Sequence, residues 1–223
     1  MTLYALIVAG GSGKRMWTDI PKQFLELAGK PVLMHTIERF KAFDASVKII
    51  VVLPEDHLGY WEKLQKKHSF SISHLVVIGG PSRFHSVKNG LEKVEERSLV
   101  AIHDGVRPLV TTDTIKRCFD EAERSGNAVP VIHPTDSVRM ITEQGNIPVN
   151  RHCLRIIQTP QVFDSKLIKR AYLQEYSPDF TDDATLLEKS GETIHLVEGN
   201  KENLKITNPG DLAVAEALYH MIF

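Results

Sequence analysis

Short apolar runs alternating with segments of helical period constrain the fold of this chain more than any other feature. LYALIVA (residues 3–9), VKIIVVLP (47–54), HLVVIGG (74–80), LVAIHDG (99–105) and NAVPVI (127–132) each read as a short strand. PVLMHTIERFKAF, between the first two, opens on Pro31 and keeps Leu33, Ile37 and Phe40 on one face, as a helix does. RFHSVKNGLEKVEE and TTDTIKRCFDEAERSG are also helical in pattern, the latter with a Thr or Asp cap and a stop at Gly126. At the end of the former, EKVEER (92–97) reads as a solvated helix face. Strands joined by crossover helices pair in parallel, so the expected class is α/β.

The rhythm changes after Pro134. SVRMITEQGNIPVNR alternates apolar and polar residues around the turn signal EQGN, which predicts a β-hairpin. A lone hairpin is marginal in water, so it must pack on something, and a second copy of the chain is the economical choice. The α/β pattern then resumes with a segment at 156–163, the helix-like SKLIKRAYLQEY, the capped TDDATLLEKSG, strands at 193–198 and 204–207, and a last helix from about Asp211. No repeat or linker intervenes. The organisation expected is one domain over residues 1–223 with a protruding β-arm at about 135–153.

The formal charge of −1 gives no global basic field to gather nucleic acid or an anionic membrane, so any anion recognition must be local. No stretch reaches the roughly 18 apolar residues of a membrane helix. Cys118 and Cys153 lack the spacing of a disulfide framework or metal site and read as reduced thiols. A soluble, cytoplasmic protein is expected.

The first strand runs into GGSGKRM (10–16). Strand, glycine turn and helix together make a phosphate cradle, because backbone N–H groups converge where no side chain blocks approach. Two common versions do not fit. Gly13-Lys14 is followed by Arg15 rather than by Ser or Thr, and the third glycine of a dinucleotide fingerprint is replaced by Met16. PKQF (21–24) adds Lys22, seven residues after Arg15. Two cations beside a glycine cradle suit a triphosphate under attack at its α-phosphorus, where charge must be neutralised. HDGVRP (103–108) closes the fourth strand, at the sheet end where such folds bind ligands. Its Asp104 can take a metal or sugar hydroxyls, or cap a turn, and its Arg107 can take a phosphate.

GGSGKRM, PKQF, HDGVRP, TDSV, TPQVF, TDDA and LVEGNKENLKIT occur in an order and spacing that resemble the 2-C-methyl-D-erythritol 4-phosphate cytidylyltransferase family over nearly the whole chain. The resemblance implies a Rossmann-like nucleotidyltransferase fold, mostly parallel, whose hairpin arm clasps a second copy into a homodimer. It implies CTP as nucleotide, bound by Ala9, Gly10, Gly11, Gly13, Lys22, Gly80, Ser86 and Asp104. Arg15 and Lys22 match the family's transition-state pair. Arg151, on the arm, and Lys205, in LKIT, match the residues that position the attacking phosphate, Arg151 in the partner's site. Asp104, Arg107, Ser137 and Thr181 match the acceptor side. HDGVRP carries Gly-Val where Ala-Ala is frequent, Ser137 stands where threonine is usual, and His133 and Pro134 precede the arm.

The implied reaction is in-line displacement at the α-phosphorus of CTP by an acceptor phosphate, with magnesium or another divalent cation bridging the phosphates. A phosphate dianion needs no general base near pH 7, and the sequence offers no hydrolase triad, GxSxG elbow around Ser12 or HExxH pair among its 10 histidines. His103, Trp17 and Trp61 read as packing residues. The nearest alternative is a ribitol 5-phosphate cytidylyltransferase. A hexose-1-phosphate pyrophosphorylase fits less well, given the short gap between glycine loop and PK. A silent nucleotide-binding homodimer would have no use for Arg15, Lys22, Asp104 and Lys205 together.

Overall fold

The computed structural model describes residues 1–10 and 20–223. The main sheet runs in the order β10 (Ile156–Ile157), β7 (Asn127–Ile132), β11 (Gln161–Asp164), β6 (Ser98–Asp104), β1 (Thr2–Val8), β4 (Lys48–Leu53) and β5 (Leu75–Ile78), with β12 (Leu196–Glu198) on β7. β1 pairs in parallel with β4 and β6, and β5 continues that array. β11 inserts antiparallel between β6 and β7, so the sheet is more mixed than its first half suggests. β1 lies at the centre because Ala5, Leu6 and Ile7, which point to both faces, are all fully buried.

Each face is covered by helices. On one, Leu33, Met34, Ile37 and Phe40 of α1 (Val32–Phe43) pack with Ile115, Cys118 and Phe119 of α4 (Thr112–Ser125), and Trp61 of α2 (Leu58–Lys67) fills the same layer. On the other, α3 (Arg83–Leu91), α5 (Ser165–Ala171) and α6 (Asp183–Lys189) contribute Phe84, Val87, Ile168, Leu186 and Leu187. The α4 boundaries follow its sequence: the Thr111 side chain accepts from Thr114 N, and Gly126 ends the helix at φ 85°.

The hairpin forms where expected. β8 (Val138–Thr142) and β9 (Gly145–Val149) make a separate two-stranded sheet, with Met140, Ile141 and Ile147 exposed. Several boundaries differ from expectation. Residues 204–207 are not a strand: Ile206 N bonds the Val106 carbonyl at 3.0 Å, and the segment continues into α7 (Pro209–Ile222) without a ladder. α7 starts two residues before Asp211 because Asn208, as N-cap, and Asp211, at the third helical position, form a capping box around Pro209. α3 stops at Leu91, so EKVEER is a turn. Arg97 takes φ 58°, and Glu95 pairs with Lys48 at 2.8 Å across to β4. The 156–163 segment is split into β10 and β11, and the cap of α6 is Asp182, which accepts from Thr185 N. β2 (Glu26–Leu27) and β3 (Lys30–Pro31) form a small hairpin below α7. No helix among the described residues is long and apolar enough to cross a membrane.

Candidate active site

β1 and β6 end together, Val8 opposite Asp104, and the chain beyond them borders a cleft of about 220 Å³. Ala9, Gly10, Lys22, Gly80, Ser86, Asp104 and Lys205 all line it, so residues from well-separated stretches of the chain converge. Gly11, Gly13 and Arg15 lie outside the described residues.

The glycines after β5 permit a close approach of chain to helix. A Cβ on Gly80 would fall 2.4 Å from the His85 Cβ, and one on Gly79 2.9 Å from the Ser86 hydroxyl. Ser86 Oγ instead accepts from Gly80 N at 3.1 Å, which fixes the floor of the cleft to the first turn of α3. Lys22 begins a short 3-10 turn, Lys22–Phe24, behind Pro21. Its neighbours anchor it: Gln23 is fully buried and donates from Nε2 to the Ala9 carbonyl at 2.8 Å, while Phe24 packs against His57, Tyr60 and Trp61.

Asp104 is the electrostatic centre. Its Oδ2 lies 3.1 Å from both Arg107 Nε and Lys205 Nζ, and its Oδ1 lies 3.7 Å from Arg83 Nε. Burial alone would raise the Asp104 carboxyl, but Arg83, Lys205 and Arg107 outweigh it and hold it well below the usual carboxylate range. Three cations on one carboxylate leave local positive charge, which suits anions. The same arrangement fits a protein-held cation poorly, because both carboxylate oxygens are already engaged. No group of three or more His, Cys, Asp or Glu residues that could hold a metal occurs among the described residues.

A second cleft lies on the other side of this carboxylate, with Arg107, Gln158, Thr159, Thr181 and Asp182 along it. Arg83, Asp104 and Lys205 border both spaces and form their common wall. Lys205 is held there by the loop before it: Asn203 donates to the Thr159 carbonyl at 2.7 Å and accepts from Arg107 Nη1 at its own carbonyl at 2.8 Å. Arg107 is therefore tied to protein on two sides, through Nε to Asp104 and through Nη1 to the Asn203 carbonyl.

Ser137 and Arg151 are exposed near the base of the hairpin, and Arg151 donates to the Thr135 carbonyl. Neither borders the two clefts within the chain's own fold. His103 is a packing residue: fully buried, edge-on to Phe40 with ring centroids 5.2 Å apart, its nitrogens facing the Arg107 carbonyl and the Thr159 hydroxyl. Burial lowers its pKa to about 4, so the ring is neutral. Trp61 is likewise core, and Trp17 lies outside the described residues. Cys118 is a buried free thiol and Cys153 an exposed one.

Sequence reasoning missed Arg83 and Asp183. Arg83 precedes Ser86 by one helical turn, so the two share a face of α3, a spacing that could have drawn attention to it. Asp183 lies within TDDA, but an acidic residue in a first turn reads as an ordinary cap, and only its complete burial singles it out.

The family model described as IspD: 2-C-methyl-D-erythritol 4-phosphate cytidylyltransferase matches residues 3–221. The chain is 53% identical over 214 residues to the protein of that name from Bacteroides fragilis, covering 96% of this chain and 98% of the relative. It is 51% identical over 213 residues to its namesake from Bacteroides thetaiotaomicron, with 96% and 97% covered. The crystal structure of 2-C-methyl-D-erythritol 4-phosphate cytidylyltransferase from Thermus thermophilus superposes with a TM-score of 0.80 at 31% identity, covering 99% of this chain and 100% of that one. The structure of 4-diphosphocytidyl-2C-methyl-D-erythritol synthase from Anaerococcus prevotii gives a TM-score of 0.83 at 28% identity, with 98% and 96% covered. With the motifs converging on one pair of clefts, these matches show that the chain belongs to the 2-C-methyl-D-erythritol 4-phosphate cytidylyltransferase family.

Proposed function

We propose that this enzyme joins CTP to 2-C-methyl-D-erythritol 4-phosphate, releasing pyrophosphate, in isoprenoid precursor synthesis. The observation that carries the assignment of sites is the shared wall: a nucleotide cleft and an acceptor cleft meet at Arg83, Asp104 and Lys205. A phosphate oxygen of the acceptor attacks the α-phosphorus of CTP from the second cleft. The new P–O bond forms as the bond to the β-phosphate oxygen breaks, and pyrophosphate leaves through the first.

Ala9, Gly10, Gly80 and Ser86 shape the nucleotide cleft, with Gly11 and Gly13 as further members of the cradle. Lys22, with Arg15, neutralises charge that grows on the α-phosphate in the transition state. Lys205, with a side chain 41% exposed, orients the attacking phosphate, and Arg107 supports it through Asp104. Thr181 lies along the acceptor cleft. A divalent cation such as magnesium would enter with CTP and supply charge neutralisation at its phosphates, because both Asp104 oxygens already face protein cations.

A homodimer completes the reading. The exposed apolar residues of β8 and β9 need a partner surface, and Arg151 and Ser137 border neither cleft of their own chain. Both would serve the partner's acceptor cleft. The work of the enzyme is cytoplasmic, with no role for nucleic acid or membrane.

Pyrophosphate release from the purified protein with magnesium and CTP, comparing 2-C-methyl-D-erythritol 4-phosphate with ribitol 5-phosphate, tests the assignment. Strong preference for the first is expected; preference for the second would keep the fold and mechanism and replace the acceptor.

A further inference from the structure

We propose that Arg83 is a positioning residue that couples the acceptor cleft to the nucleotide cleft, an inference that rests on the two-cleft assignment above. Arg83 is the first residue of α3, and its side chain, 31% exposed, borders both spaces. Its Nη2 donates to Asp183 Oδ2 at 2.6 Å, and its Nε faces Asp104 Oδ1 at 3.7 Å. One guanidinium thus spans three elements: α3 beneath the nucleotide, the end of β6, and the first turn of α6.

Asp183 is committed to this task. It is completely buried, and its second oxygen, Oδ1, accepts from the Tyr172 hydroxyl at 2.5 Å. With both oxygens engaged by protein, it holds the arginine rather than a ligand. The segment that carries it is fixed as well. Asp182 accepts from Gln161 Nε2 at 2.7 Å, and Gln161 Oε1 accepts from Ala184 N at 2.9 Å, which sets Thr181 at the edge of the acceptor cleft.

At the other end, Arg83 decides how Asp104 is turned. Arg107 and Lys205 both bind Oδ2, so the pull on Oδ1 from Arg83 fixes the plane of the carboxylate. Rotating that plane would move Lys205, the proposed anchor of the attacking phosphate. Arginine suits the role because its planar fork donates in two fixed directions, whereas a lysine is a single point charge that can neutralise Asp183 without steering Asp104. Ordering of one cleft is therefore transmitted to the other through a rigid, charged link.

Two variants and two readouts test this. Arg83→Lys retains a charge for the buried Asp183, and Arg83→Gln combined with Asp183→Asn removes both charges together. In the unmodified protein, magnesium and CTP without acceptor should slow amide hydrogen exchange in α6, across the shared wall; in both variants that slowing should vanish while slowing at the start of α3 persists. In steady-state pyrophosphate release, both should lose about a hundredfold in kcat at an unchanged melting temperature, the scale expected when a reacting group is displaced by roughly 1 Å. Unaltered α6 protection in Arg83→Lys, or kinetics of the double variant matching the unmodified protein, would overturn the proposal and reduce Arg83 to a neutraliser of Asp183. Failure of the unmodified protein to release pyrophosphate would count against the assigned reaction instead, and the exchange measurement would still decide the coupling.

Discussion

Gln23 and Ala9 are joined by a 2.8 Å hydrogen bond that ties the turn carrying Lys22 to the end of the central strand. The bond is buried, so removing the donor leaves the Ala9 carbonyl without its partner in a dry site. Gln23→Met, close in shape, should cost about 1–3 kcal/mol of stability, the desolvation penalty of an orphaned carbonyl. Because Lys22 is the adjacent residue, kcat should fall by at least about tenfold as its amine shifts. Thermal unfolding and pyrophosphate release measured on one preparation check both. Lost stability with full kcat would show that Lys22 is held by other contacts.

Asp104→Asn attacks the centre of the cation cluster. Arg107 and Lys205 then face a neutral amide, their mutual repulsion is no longer offset, and Arg83 keeps only its pair with Asp183. The expected loss in kcat is about a hundredfold or more, comparable with removal of one preorganised charged contact. Stability should fall too, by less than the roughly 3–5 kcal/mol of a fully buried pair, since Lys205 is partly open to water. Retention of kcat would mean that the cations are positioned by their other partners alone.

His103 predicts a pH dependence of stability. Its pKa falls from 6.5 to about 4, chiefly through burial, so the folded protein keeps the ring neutral where the unfolded chain binds a proton. Stability is therefore fully present above about pH 6.5, falls as the pH drops towards 4, and loses nothing more from this residue below that. The total is about 3 kcal/mol for a shift of this size. His35 and His74 are also lowered by burial and act in the same sense. The test is thus a difference: urea unfolding of His103→Gln across pH 4–6.5 should show a slope shallower by up to about 1.4 kcal/mol per pH unit. An unchanged slope would contradict a neutral His103.

Most of the framework was legible because it depends on local pattern. β1, β4, β6 and β7 are runs buried on both faces, and α1 and α4 carry their apolar stripes and end signals in sequence. β11 was not legible as an antiparallel insert, since nothing local in Gln161–Asp164 distinguishes strand direction; its place is set by the partners β6 and β7. The segment 204–207 alternates like a strand, yet Ile206 finds a single carbonyl, that of Val106, and no ladder to join. At the site, Lys22, Asp104 and Lys205 were found through motifs that keep their order along the chain. Arg83 and Asp183, 100 positions apart, meet only through the fold, and each looks ordinary beside its sequence neighbours.

Gly80→Ala tests the close approach under the first cleft, the proposed nucleotide site. The added methyl would lie 2.4 Å from the His85 Cβ and 3.2 Å from its carbonyl carbon, both within the first turns of α3. The helix start must move, drawing Ser86 away from Gly80 N. Overpacking of this kind costs about 1–3 kcal/mol, and KM for CTP should rise by about tenfold or more as the cleft floor shifts. A variant with unchanged KM would remove Gly80 and Ser86 from the nucleotide site.

The dimer reading makes the sharpest demand on Arg151, which is exposed and borders neither cleft of its own chain. If it serves the partner's site, Arg151→Ala and Lys22→Ala are each nearly inactive alone but complementary when mixed. A hybrid dimer then holds one site damaged at both positions and one site with neither change. Random exchange of equal amounts yields about half hybrids, so activity should recover to about a quarter of the unmodified level, one working site in each hybrid. Co-expression with two different tags isolates the hybrid directly and removes any dependence on exchange. No recovery in the isolated hybrid would place Arg151 in its own subunit's chemistry or outside the reaction, and would leave the exposed face of β8 and β9 with a purely structural part in assembly.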